Sequence, residues 1–280
     1  MPSPASGRTL RCGRFLLALD RPLVMGIVNV TPDSFSDGGR FLDPAAAVAQ
    51  ARRLVDEGAD LIDLGAESTR PGAAPVSAAE ELERLLPVLE GLADVPVPIS
   101  VDTMKPEVMR AAITRGAGMV NDIAALRARG AIEAVAASQA AVCLMHMQGE
   151  PRTMQAAPHY DDVVREVRDF LQARVDACVA GGIAAERIVV DPGFGFGKTV
   201  DHNLDLLRQL GVFARMGAGV LAGWSRKSSL GTITGRPAGE RLVPSVTAAV
   251  LAVQRGATIV RVHDVAATRD ALAVLAAVEG

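Results

Sequence analysis

The stretch Pro98–Ala124, PISVDTMKPEVMRAAITRGAGMVNDIA, decides the fold. Pro98–Thr103 reads as a short strand that ends on the polar pair Asp102-Thr103. Pro106 then opens a helical stretch to Arg115, and Gly116 stops it, the usual placement of proline just inside a helix start and glycine just past its end. Met119–Ala124 is a second strand, again turning polar at Asn121-Asp122. Strand, helix and strand within 27 residues read as one unit of a parallel β/α alternation.

The unit repeats in both directions along the chain. Strand-like segments occur at Val24–Val30, Leu61–Glu67, Pro98–Thr103, Met119–Ala124, Ala141–Met147, Ile188–Asp191, Val220–Ser225 and Ile259–Val265. Helical stretches follow at Pro44–Glu57, Ala78–Leu92, Pro106–Arg115, Ala131–Ser138, Tyr160–Ala180, Asp201–Leu210, Pro244–Arg255 and Ala267–Val278. Eight alternations predict an α/β fold of the closed (β/α)8 TIM-barrel type, whose working residues stand where the strands end. The residues so singled out are Asn29, Glu67, Asp102, Asn121, His146, Asp191, Lys227, Arg261 and His263. Residues 1–8, rich in Pro and Ser, are expected to form a loose tail, and Thr9–Asp20 alternates like a hairpin closing the barrel's bottom. One domain over residues 9–280 accommodates the whole pattern.

Composition narrows the function classes. Hydrophobic residues make up 49% of the chain with one Trp and one Tyr, so the core is aliphatic, as suits strands buried on both faces. A net charge of −3 offers no general attraction to nucleic acid. Cys12, Cys143 and Cys178 are an odd set without metal or CxxC spacing, which points to free thiols and a reducing, cytoplasmic setting. No secretory h-region and no apolar run long enough for a membrane span are evident, so no membrane partner is expected.

Strand parity then groups the chemistry. Arg261 and His263 share one face of their strand while Val260 and Val262 take the other, which favours anion binding by two basic groups over a solvated pair. Ser100 and Asp102 likewise share a face, and Asp191 ends an apolar run. Each carboxylate alone reads equally well as a helix cap. Together with Asn121 and Lys227 they form two acceptors, an amide and an ammonium, a set that fits a flat heterocycle with a guanidine-like edge. The run Gly193–Thr199 imitates a phosphate loop, but its first glycine position falls on Pro192, so it reads as a flexible glycine-rich lid carrying two aromatic rings. His146, His159 and His202 lack zinc-ligand spacing and read as structural.

These residues also resemble a known family. MGIVNVTPDSFSDGG at 25–39 resembles the first signature of the dihydropteroate synthases, and ESTRPG at 67–72 the second. SVDT at 100–103, VNDI at 120–123, LMHM at 144–147, DPGFGF at 191–196, SRKS at 225–228 and RVHD at 261–264 continue the match in order. The resemblance implies condensation of 6-hydroxymethyl-7,8-dihydropterin pyrophosphate with p-aminobenzoate, giving 7,8-dihydropteroate and pyrophosphate in folate biosynthesis. It implies catalytic roles for Asp102, Lys227, Arg261 and His263, and a pterin pocket of Asp102, Asn121, Ile123, Met145, Asp191, Gly223 and Lys227. It further implies pyrophosphate binding by Asn29, Arg70, Arg261 and His263, with Mg²⁺ on Asn29, and aminobenzoate binding by Thr69, Pro71, Phe196 and Ser228. Loops carrying Phe35, Asp37 and Arg70 would close the site, the family's sulfonamide target, and a homodimer is implied. A pterin-dependent methyltransferase shares the barrel and the pterin carboxylates but has no need of the Thr-Arg-Pro, Ser-Arg-Lys and Arg-Val-His sets together. A pterin-binding protein without turnover should lack one of these groups, and none is missing.

Overall fold

The computed structural model describes residues 7–31, 43–67, 76–150 and 153–280. An antiparallel hairpin of β1 (Thr9–Cys12) and β2 (Phe15–Ala18) precedes eight parallel strands: β3 (Leu23–Asn29), β4 (Leu61–Gly65), β5 (Ile99–Asp102), β6 (Met119–Asp122), β7 (Ala141–Met145), β8 (Ile188–Asp191), β9 (Gly219–Ala222) and β10 (Ile259–Val262). They close in sequence order, β10 pairing with both β9 and β3. The expected barrel and its N-terminal hairpin are both present. The expected tail at residues 1–8 lies almost wholly outside the described residues.

Helices α1 (Pro44–Asp56), α2 (Ala78–Gly91), α3 (Pro106–Thr114), α4 (Ala131–Ala136), α5 (Val163–Ala180), α6 (Val200–Arg208), α7 (Ser228–Thr234), α8 (Leu242–Gln254) and α9 (Val265–Glu279) surround the barrel. α7 has no counterpart among the helices expected from sequence. Seven residues long, with Gly231 and the β-branched Thr232, Ile233 and Thr234, it carries too little helical preference to be seen without its packing. α5 starts at Val163 rather than Tyr160 because the Asp162 side chain accepts from Arg165 N at 3.0 Å and caps it there. Most strands stop two or three residues before the sequence spans do. Glu67, Thr103, Ala124, Met147, Ser225 and Val265 therefore belong to the turns above the barrel or to the next helix.

Alternation along the strands builds the interior in layers. Met25, Leu61, Met119, Cys143, Val189, Leu221 and Ile259 form an apolar layer with Leu10 and Cys12 of the hairpin, which plug the bottom. The intervening residues Val24, Ile62, Val101, Val120, Val142, Val190 and Val260 face outward under the helices. Two residues further along each inward row stand Ile27, Asp63, Asn121, Met145, Asp191, Gly223 and Arg261, so the layer above the apolar floor is mostly polar. The three cysteines are free and buried.

Leu10 is fully buried on a hairpin that belongs to no βα unit, so its packing measures what the plug contributes. Leu10→Ala is expected to lower unfolding free energy by about 2–5 kcal/mol, read as a shifted midpoint with unchanged slope in a urea titration.

Candidate active site

Barrel register sets the site's first row. Asn29 pairs with Gly65, Gly65 with Asp102, and Asp102 with Asn121 across four adjacent strands. A Cβ on Gly65 would stand 3.9 Å from both Asn29 Oδ1 and Asp102 Cβ, so the glycine leaves the space between them open. Gly223 does the same on the opposite wall. A Cβ there would lie 3.9 Å from Lys227 Nζ, 4.0 Å from Asp191 Oδ2 and 3.9 Å from Arg261 Cβ. The expected pterin set therefore does converge on one mouth, and Ile123 and Met145 form its apolar side together with Met147, Met154 and Phe196.

Arg261 crosses the mouth from β10. Its Nε donates to Asp63 Oδ2 at 2.6 Å and its Nη2 to Asp102 Oδ2 at 3.2 Å. Sequence parity placed Arg261 inward correctly but left its counter-ions unidentified, and Asp63 was missed altogether. The available signal was a carboxylate in the middle of the apolar strand Leu61–Gly65, where a lone charge needs a partner. Burial pushes the Asp102 carboxyl up to about 7; Arg261 opposes that rise and neighbouring Asp63 adds to it. Burial also raises Asp191 against the pull of Lys227, and lowers Lys227 to about 8 against the pull of Asp191.

The Ser-Arg-Lys and Arg-Val-His-Asp runs are stitched together. Ser225 Oγ lies 2.9 Å from His263 Nδ1 and accepts from His263 N at 3.2 Å. Arg226, held at φ 59°, pairs with Asp264 through Nη2 at 2.6 Å. Lys227 is thereby turned inward, where its Nζ donates to the Phe194 carbonyl and sits 4.7 Å over the Phe196 ring. Ser228 opens α7 immediately afterwards and is exposed.

The Gly193–Thr199 run is not a flexible lid. Phe194 is fully buried against Trp224, with ring centroids 4.7 Å apart, and the loop wraps around the ammonium of Lys198. That ammonium donates to the carbonyls of Gly193 and Phe196, each at 3.0 Å, and lies 3.0 Å from His146 Nδ1. Gly193 holds φ 73°, and a Cβ on it would stand 1.9 Å from the His146 carbonyl, so this glycine fixes the chain rather than freeing it. His146 is structural, as expected. Glu67 is also turned away from the mouth, to the Lys105 ammonium and to Val76 N at 3.1 Å. Phe35, Asp37, Thr69, Arg70 and Pro71 lie outside the described residues.

Among the described residues, no group of three His, Cys, Asp or Glu could hold a metal ion. A neutral oxygen donor that a hard cation could use at this mouth is the amide oxygen of Asn29, in the same row as Asp102 with Gly65 between them. One neutral oxygen fits Mg²⁺ only in the mode where water and phosphate oxygens complete the octahedron.

A polar barrel mouth with paired carboxylates, an amide and two cations defines a class. A family model described as pterin binding enzyme matches residues 25–263, and the chain belongs to that family. Within it, the chain is similar to dihydropteroate synthases: 52% identical to that of Neisseria meningitidis serogroup B, covering 94% of this chain and 95% of the relative, and 50% identical to that of Escherichia coli K12, covering 93% of each. The Xanthomonas albilineans dihydropteroate synthase structure with 4-aminobenzoic acid superposes with a TM-score of 0.92 at 55% identity over 99% of both chains. The Burkholderia cenocepacia enzyme complexed with 7,8-dihydropteroate gives 0.89 at 53% identity, over 97% of this chain and 96% of the other.

Burial and the adjacent Lys198 ammonium push His146 down to about 2. Its ring is expected to stay neutral, with the proton on Nε2, in ¹⁵N NMR spectra from pH 8 to pH 4. The unfolded chain takes up that proton below about pH 6.5. The His146 contribution therefore lowers stability as pH falls from about 6.5 toward 2. A ring titrating near its ordinary value would mean that the burial of His146, with its Lys198 contact, does not form.

Proposed function

We propose that the chain condenses 6-hydroxymethyl-7,8-dihydropterin pyrophosphate with p-aminobenzoate to give 7,8-dihydropteroate and pyrophosphate. The observation that carries this reading is the convergence at one mouth of Asp102, Asn121, Asp191 and Lys227, a set for a hydrogen-bonding heterocycle, around the Arg261 guanidinium, which with His263 just past the end of the same strand would meet an anion. Half identity to dihydropteroate synthases over more than nine-tenths of the chain supports it.

In this reading the carboxylates of Asp102 and Asp191 accept pterin N–H groups, and Asn121 and Lys227 complete the edge. The C–O bond to pyrophosphate breaks first, its electron pair leaving with the pyrophosphate while the pterin methylene becomes cationic. Asp102 and Asp191 favour that positive ring, and the Arg261 guanidinium and His263 meet the negative charge growing on the leaving oxygens. The arylamine lone pair then forms the new C–N bond, and one amine proton is lost to solvent. Asn29 would hold Mg²⁺, which when bound supplies charge neutralisation to the pyrophosphate. Phe196 and Ser228, with Thr69 and Pro71, would flank the aminobenzoate, and Arg70 would reach the pyrophosphate while Phe35 and Asp37 close the site. This is also the pocket that a sulfonamide would occupy, and a similar structure, the Yersinia pestis dihydropteroate synthase, is a sulfonamide drug complex.

Among the described residues no helix is long and apolar enough to cross a membrane. Free buried thiols support a cytoplasmic location. A homodimer fits the apolar residues left on the outer helices, where Val243 on α8 and Val274 and Val278 on α9 are 73%, 67% and 80% exposed. Light scattering is expected to give a mass twice the 29.1 kDa of the chain, and Val274→Glu to halve it.

Formation of 7,8-dihydropteroate with one pyrophosphate released per product, when both substrates are present, tests the reaction itself, and no dihydropteroate formed contradicts it. Asp191→Asn replaces an acceptor with a donor against the pterin edge. It is expected to weaken pterin binding by about 2–5 kcal/mol in calorimetry on the folded variant.

A further inference from the structure

We propose that Asp63 is a positioning residue that fixes both the Arg261 guanidinium and the polarity of the Asn121 amide, and so decides which edge chemistry the pterin pocket accepts. The proposal rests on the pterin reading of the mouth and adds a residue and a specificity rule to it.

One oxygen does both jobs. Asp63 Oδ2 accepts from Arg261 Nε at 2.6 Å and from Asn121 Nδ2 at 3.0 Å, joining β4 to β10 on one side and to β6 on the other. A carboxylate only accepts, so the Asn121 amide must present its nitrogen to Asp63. Its Oδ1 is then turned away from Asp63, and a ligand reaching that oxygen must bring a donor. Asp63 thus orients an amide that could otherwise face the pocket either way round. The same contact holds Nε of Arg261, while Nη2 goes to Asp102 and Nη1 takes no hydrogen bond among the described residues. The donors left over belong to the end of the guanidinium remote from Asp63.

A purely structural ion pair is a poorer account of these atoms. Asp63 is fully buried, yet its Oδ1 has no partner among the described residues, and neither has Ser100 Oγ on the register-matched neighbour in β5. Incompletely satisfied buried polar groups are costly and are retained where they serve a site. Asp63 also stands one interior layer above Leu61, where a leucine-like side chain would fill the barrel without that cost.

The test compares wild type, Asp63→Asn, Asn121→Asp and the double variant, by calorimetry with bare 7,8-dihydropterin and by steady-state kinetics with both substrates. Asp63→Asn lets the two amides pair in either sense. It is expected to weaken dihydropterin binding and raise the KM for the pterin pyrophosphate roughly tenfold, with the aminobenzoate KM changed less than about twofold. Asn121→Asp sets two carboxylates against each other and is also expected to weaken binding. The double variant again pairs one amide with one carboxylate, leaves an acceptor for the pocket and keeps an oxygen for Arg261 Nε, so most of the affinity should return. Losses that simply add, or a rise in both KM values alike, would overturn the proposal. A wild-type measurement covers variants that fail to fold: the Arg261 Nε–H resonance, assigned by its loss in Arg261→Lys, should be protected from solvent exchange, and fast exchange would refute the contact. Dihydropterin binding needs no turnover, so a wild type that binds but releases no pyrophosphate counts against the reaction and leaves Asp63 to be judged by the binding series.

Discussion

The Arg261 guanidinium, held between Asp63 and Asp102 above an apolar floor, is the interaction on which the upper half of this molecule depends. A closed parallel barrel must fill its interior with side chains from alternate strand positions. Here the lower layer is hydrocarbon and the next is charged. Arg261 reaches over two neighbouring strands to find its carboxylates, so the pairing can exist only when the barrel has closed. Removing one member of such a buried set would strand the others, a penalty on the order of 3–5 kcal/mol, so the mouth's charged groups hold one another in place without a ligand. In the proposed reaction the same arrangement would keep a fixed positive group where pyrophosphate charge develops.

Around that centre the loops are held by buried polar contacts rather than by bulk. Lys198 gathers two loop carbonyls and the His146 ring, and in doing so places the Phe194 carbonyl and the Phe196 ring against Lys227. Ser225 and Arg226 join the end of β9 to His263 and Asp264 beyond β10. Arg261 with its carboxylates, the His263 turn and the aromatic wall beside Lys227 are therefore mechanically connected. A dihydropteroate synthase has to bring an electrophile and a weakly basic arylamine together in one orientation, and a connected frame limits the motion that would spoil it.

Much of this was legible in the linear chain. Proline-opened, glycine-closed helices between short β-branched strands specified the barrel, and parity along Ile259–Val265 and Pro98–Thr103 placed Arg261 and Asp102 inward. The motif run from Met25 to Asp264 carried the family. Less legible was anything depending on a partner distant in sequence. Lys198 looked like the end of a failed phosphate loop, and the glycines before it like hinges, because their positive φ angles are explained only by carbonyls converging on the ammonium. α7 escaped because its seven residues are poor helix formers held by packing.

The sequence by itself determined the strand count, the parity that sorts inward from outward residues, and the chemical inventory at the strand ends, because these depend on spacing within a few residues. Only the tertiary structure decided which charges meet. Asp63 and Arg261 are 198 positions apart, and their contact follows from barrel closure and register, neither of which local periodicity encodes. For the same reason the direction of the Asn121 amide, free in the sequence, is set in the fold by a carboxylate two strands away that can only accept.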